Sequence, residues 1–93
     1  MIRKRVLVSG RVQGVYFRDT CQTMAARYAV NGWVRNLPDG RVEAVFEGPE
    51  DAVNRLVKWT HHGPDSTIVT GVEVHDEPPE GLPGFVVVTG SRR

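Results

Sequence analysis

Gly10-Arg11-Val12-Gln13-Gly14-Val15-Tyr16-Phe17-Arg18 is the stretch whose residue types and spacing best suit chemistry. It joins a β-like run to a helix-like run, with one glycine at its start and another at its middle. Glycine permits backbone conformations that turn successive N–H groups toward one point. A helix beginning at about Arg18 adds unpaired amides and the positive end of its dipole at the same place. Arg18 then sets a planar, permanent cation beside them. The chemistry is anion binding, in a cradle formed by the amides of Gln13, Gly14, Val15, Tyr16 and Phe17 together with Arg18. No Lys-Ser or Lys-Thr follows Gly14, so this is not a nucleotide P-loop, and the spacing of the dinucleotide fingerprint is absent. A glycine pair beside a solvated arginine is more often a plain connection. The adjacent aromatics Tyr16 and Phe17 argue instead for a packed loop of fixed shape.

Asn36 is the second candidate. Asparagine is disfavoured within strands, so its place at the end of one calls for a turn role or a functional one. An Asx-type bond to the Pro38-Asp39 turn satisfies the first, and position alone leaves both open. Other reactive residues carry less. Cys21 falls on the apolar side of a helix, where cysteine behaves as a small inert hydrophobe. His61-His62 point in different directions from a helix end, which argues against a metal site, and His75 reads as a surface residue. Arg3, Lys4, Arg5, Arg92 and Arg93 read as solvated ends, and there is no Ser-His-Asp arrangement or clustered carboxylate pair.

The elements that must position these groups follow from periodicity. Ile2 to Ser9 alternates as a strand. Cys21, Met24, Ala25 and Tyr28 recur at helical spacing, predicting a helix over 18–30 stopped by Asn31-Gly32. Residues 32–37 and 41–47 form a hairpin about Pro38-Asp39-Gly40, with Val42, Ala44 and Phe46 facing inward. Gly48-Pro49-Glu50-Asp51 starts a second helix, ended by Gly63-Pro64. Thr67 to His75 is a strand with Ile68, Thr70, Val72 and Val74 on one side. Residues 77–83 are a proline-rich loop, 85–89 a short closing strand and 91–93 a frayed tail. The order βαββαβ plus a short fifth strand predicts an α+β, ferredoxin-like α/β sandwich: an antiparallel sheet with two helices on one face and the other face partly open.

Composition narrows the functional classes. Ninety-three residues make a single domain, 1–93, and 40% hydrophobic with 25% charged residues is ordinary for a soluble globular chain. A net charge of +1 makes any anion site local and weighs against a general nucleic-acid binder. One cysteine excludes an internal disulfide and fits a reducing, cytoplasmic setting. No apolar run approaches the ~20 residues needed to span a bilayer, and the basic N-terminus leads into a strand and not a signal core. The chain reads as soluble and complete.

Gly10 to Arg18 together with Gly32-Trp33-Val34-Arg35-Asn36 closely resembles the two signature segments of acylphosphatases. The likeness extends to chain length, the Asp39-Gly40 turn, Gly48-Pro49 and Gly63-Pro64, while residues 19–31 and 65–93 depart further from the common pattern. The resemblance implies hydrolysis of the carboxyl–phosphate anhydride of a small-molecule acylphosphate by direct water attack. By position it assigns phosphate binding to Arg18 and the 13–17 amides, and placement of the attacking water to Asn36. It implies no metal and no organic cofactor. It also fits a cytoplasmic monomer with no nucleic-acid or membrane partner. The alternative is a non-catalytic phosphate- or RNA-binding module on the same scaffold. An RNA-recognition sheet needs exposed aromatics, and the 41–47 strand offers only Phe46, on the face assigned to the core.

Overall fold

The computed structural model describes residues 1–89. β1 (Ile2–Arg11) leads into α1 (Phe17–Arg27), followed by the hairpin of β2 (Asn31–Asn36) and β3 (Val42–Gly48). α2 (Glu50–Thr60), β4 (Ile68–Glu77) and β5 (Phe85–Val88) complete the chain. The strands lie in the order β4-β1-β3-β2-β5. This is the ferredoxin-like sandwich, with one difference from an all-antiparallel sheet: β5 pairs with β2 in parallel, Trp33 opposite Val86 and Val34 opposite Val87. The sheet is therefore mixed. A parallel neighbour must arrive by a crossover, and α2 with β4 supplies that length between the two strands.

The core lies between helices and sheet. Val6 and Val8 of β1, Val34 of β2, and Val42, Ala44 and Phe46 of β3 meet Phe17, Cys21 and Ala25 of α1 and Val53 and Leu56 of α2. Phe17 is the first residue of α1 and stacks at a tilt on Trp59 of α2, ring centroids 5.1 Å apart. Burying one such ring stabilises the fold by ~1.5–3 kcal/mol, and here it also pins the helix start that carries Arg18.

Three local features differ from the sequence expectation, each for a backbone reason. α1 stops at Arg27 and not at 30, because Ala29 turns left-handed at φ 56 and the Val30 amide reaches back to the Ala25 carbonyl at 2.9 Å. Gly32 is thereby freed from capping and serves the sheet: a Cβ there would lie 1.8 Å from the Val45 carbonyl oxygen. Gly10 belongs to β1, not to the loop. Ser9 pairs with Gly71 but Gly10 with Val69, a β-bulge at which a Cβ on Gly10 would meet the Ile68 oxygen at 2.1 Å. The bulge leaves Thr70 as the extra residue, so Val69 packs against the core while Ile68 turns to solvent, breaking the single face expected for β4.

The sheet's second face is partly open, with Val86 exposed at one edge and Glu73 and His75 at the other, and its middle is covered by the sheet's own charged side chains. Arg3 and Arg5 are not solvated ends: their Nε atoms donate to the two oxygens of Glu77 at 2.9 Å each, and Arg5 Nη1 reaches Glu43 at 3.2 Å. Arg35 closes the ladder on Glu43 at 2.7 Å. Lys4 pairs with Asp76 at 2.6 Å. Residues 78–84 strap over one end of this face, where the amides of Glu80, Gly81 and Leu82 all donate to the carboxylate of Glu47, itself 1% exposed. The expected tail at 91–93, with Arg92 and Arg93, lies outside the described residues.

Candidate active site

Gly14 has φ 73 and Tyr16 φ 62, with Val15 between them outside the left-handed region. Left-handed residues in a tight turn can bring successive amides to one side and make an anion-binding concavity. Tyr16 is the N-cap of α1 and offers no side-chain bond to the first turn. The first amide of α1 to find a backbone acceptor is that of Thr20, on the Tyr16 carbonyl at 3.0 Å. The amides of Phe17, Arg18 and Asp19 remain the free donors of a helix start. A bulky residue in the left-handed region is strained by ~1–2 kcal/mol, and Tyr16 is also 78% exposed. Such strain concentrates at functional sites.

Arg18 occupies the first turn of α1, held by Phe17 on the buried side. Its Nη1 makes one long contact, 3.5 Å, to the Val88 carbonyl of β5. Among the described residues the guanidinium has no other hydrogen-bond or ion-pair partner. Asn36 ends β2 on the core-facing side, paired with Val42. Its Oδ1 is buried and has no hydrogen-bond partner among the described residues. The turn role is therefore not filled by this oxygen: Asp39 makes the Asx bond itself, accepting from the Arg41 amide at 3.1 Å.

These groups share one cleft of about 310 Å³, lined by Val12, Gly14, Tyr16, Phe17, Arg18, Asp19 and Asn36. The structure thus brings together Gly14, Tyr16, Phe17, Arg18 and Asn36. Gln13 and Val15 lie beside the cleft without lining it. Val15 packs against the core, and the Gln13 side chain faces the β2–β3 turn, donating to the carbonyls of Leu37 at 2.8 Å and Arg41 at 2.9 Å. Sequence reasoning missed Val12, a buried wall residue, and Asp19. The signal for Asp19 was its place in the first helical turn, where acids are favoured by the dipole, directly after Arg18.

Cys21 takes no part. It is fully buried on α1 and burial pushes its thiol up, far from thiolate formation at neutral pH. Among the described residues, no three His, Cys, Asp or Glu side chains are grouped to hold a metal ion.

An anion cradle, a forked cation and an orphaned carbonyl acceptor around one cleft are the parts expected of a phosphate-handling hydrolase. The comparisons with known proteins agree. The acylphosphatase family model matches residues 4–87. An acylphosphatase of Rubrobacter xylanophilus is 63% identical over 79 residues, covering 85% of this chain and 72% of the relative. One from Haloarcula marismortui is 58% identical over 85 residues, 91% of this chain and 93% of its own. The crystal structure of an acylphosphatase from Bacillus subtilis superposes with a TM-score of 0.91 at 40% identity, covering 95% of this chain and 99% of that one. The chain belongs to the acylphosphatase family.

Proposed function

We propose that the chain hydrolyses small acylphosphates at the 12–19 cleft, with Arg18 and the cradle amides of residues 13–17 holding the phosphoryl group and Asn36 placing the attacking water. The observation that carries this reading is the buried Oδ1 of Asn36, an acceptor left without a partner among the described residues, in the same cleft as Arg18. A buried carbonyl with no donor costs ~1–3 kcal/mol, and a water donating to it turns its own lone pair into the cleft. Water oxygen attacks phosphorus and the bond from phosphorus to the acyl oxygen breaks. The carboxylate leaves with the bonding pair, and both water protons end on the phosphate, one passing to a nonbridging oxygen. The substrate supplies the activated leaving group, so the chain's contribution is positioning and charge stabilisation. No metal or organic cofactor enters this scheme; excess chelator should leave turnover unchanged.

In the same reading, residues 1–93 are one acylphosphatase-like domain working as a cytoplasmic monomer on a small-molecule substrate, without a nucleic-acid or membrane partner. The single cysteine and the near-neutral net charge support this setting. No helix among the described residues is long and apolar enough to cross a membrane.

The test is turnover of benzoyl phosphate by the wild type and by Asn36→Ala, with inorganic phosphate as competitive inhibitor. The substitution should lower kcat by roughly 10²–10³-fold and leave phosphate inhibition nearly unchanged. Equal loss of both would make Asn36 a binding or structural residue, and no wild-type hydrolysis above background would exclude the enzyme.

A further inference from the structure

We infer that the side chain of Gln13 is a positioning residue for the hydrolysis, locking the phosphate cradle to the strand end that carries Asn36. This rests on the roles proposed above for the cradle and Asn36. The two halves of the site come from segments that are not neighbours in the sheet. The cradle leaves the end of β1 and Asn36 ends β2, while β3 runs between those two strands. The loop must therefore reach across the start of β3 to meet its partner.

Gln13 makes that crossing. Its Nε2 donates to the carbonyl of Leu37, the residue after Asn36, at 2.8 Å and to that of Arg41, the residue before β3, at 2.9 Å. Those carbonyls flank the hairpin turn, where the Leu37 amide also donates to the Arg41 oxygen at 2.8 Å and the Gly40 amide to the Leu37 oxygen at 3.1 Å. Both hydrogens of one amide group are thus spent on the two ends of one turn. Glutamine suits this task because its NH₂ offers two donors in a plane.

The functional consequence follows from which groups each half contains. The cradle amides and Arg18 all lie on the loop and on α1, so phosphate binding does not require the hairpin to be held. Placing a water against phosphorus requires both halves at a fixed separation, and misplacement by about 1 Å can cost roughly 10²-fold in rate. Losing the Gln13 clamp should therefore lower turnover without weakening phosphate.

The experiment uses the full chain with Gln13→Ala and the similarly sized Gln13→Glu, whose ionised carboxylate has no donor to offer. It reads kcat for benzoyl phosphate, the inhibition constant of inorganic phosphate and the melting temperature. Gln13→Ala is also made in the Asn36→Ala background, whose predicted loss of roughly 10²–10³-fold leaves turnover to compare. Both single variants should lose about 10- to 100-fold in kcat while phosphate inhibition moves less than about twofold. In the Asn36→Ala background the Gln13 substitution should add little, since residues acting as one unit are not additive.

Wild-type kcat with only a lowered melting temperature would make Gln13 structural and overturn the inference. So would weakened phosphate inhibition in step with kcat, an undiminished effect in the Asn36→Ala background, or loss of the fold in both variants. Wild-type kcat in the Gln13 variants beside a crippled Asn36→Ala removes this inference alone. Full turnover in Asn36→Ala removes the proposed role of Asn36 and this inference with it.

Discussion

The strap at 78–84 and the cradle at 13–17 both gather backbone amides, but among the described residues only the strap's amides meet a carboxylate of the chain itself. Glu80, Gly81 and Leu82 donate to Glu47 beneath them. Burial pushes the Glu47 carboxyl up, yet the three amides and the nearby Arg3 outweigh it, so its pKa lies below the ordinary glutamate value. That nest is satisfied from within and serves the fold. Among the described residues the amides at the start of α1 have no such acceptor, and the cleft they face is lined by the cation Arg18 as well as by Asp19. The same backbone chemistry is closed in one place and turned outward in the other. What separates structure from function is whether the chain provides the counter-charge.

The comparison predicts opposite consequences for the two sites. Arg18→Lys should lower kcat/KM by roughly 10³-fold or more, since a point charge cannot replace a bidentate fork in phosphoryl transfer. The melting temperature should hardly move. Near-wild-type kinetics would remove Arg18 from the chemistry.

Gly10→Ala should do the reverse. With φ 122 and the Ile68 oxygen 2.1 Å from the new Cβ, it combines backbone strain with a clash and should cost about 3 kcal/mol by denaturant unfolding. Stability equal to wild type would mean that the bulge is not the reason for this glycine.

Glu47→Gln should destabilise by ~2–3 kcal/mol, because the amide keeps one acceptor and sets a donor against the strap, and kcat should stay unchanged. The sign of its pH dependence is fixed. A carboxyl with a depressed folded pKa stabilises above its unfolded value of about 4.3 and loses that stabilisation as pH falls through the folded pKa. Glu77, lowered first by its bond from Arg3, against the opposing effect of burial, and then by Arg5, acts in the same sense. Melting temperature should therefore fall below about pH 4.5, less steeply in Glu47→Gln. A parallel pH profile in the variant would show that the strap does not depend on the charge.

The smallest effect is Ala29→Gly, which should stabilise by about 1 kcal/mol at the left-handed end of α1. Destabilisation would mean that the alanine methyl packs against something the backbone strain conceals.

Local chemistry was legible in the sequence wherever it is local in the fold. The hairpin, both helices and the amide-rich loop before Arg18 follow from periodicity and turn residues, and Asn36 was singled out because it sits badly in a strand. What escaped depends on partners distant along the chain. Arg3 and Arg5 look like a solvated basic end until Glu77, across an antiparallel pairing, is placed beside them. Gly10 looks like a loop glycine until β4 approaches it. Gln13 looks like a contributor of one amide, because only the folded hairpin reveals the two carbonyls its side chain holds. Asn36 could be noticed from its residue type and given a role only through the family resemblance, since the missing partner of its Oδ1 among the described residues is a property of the packed site.

The contrast between the two nests is tested most directly by titrating the chain with inorganic phosphate while recording backbone amide shifts by NMR. The account predicts saturable changes concentrated at the amides of residues 14–19, accompanied by the Arg18 side chain, with the amides of Glu80, Gly81 and Leu82 unmoved. Phosphate that perturbs the strap and spares the helix start, or that perturbs neither, would contradict it.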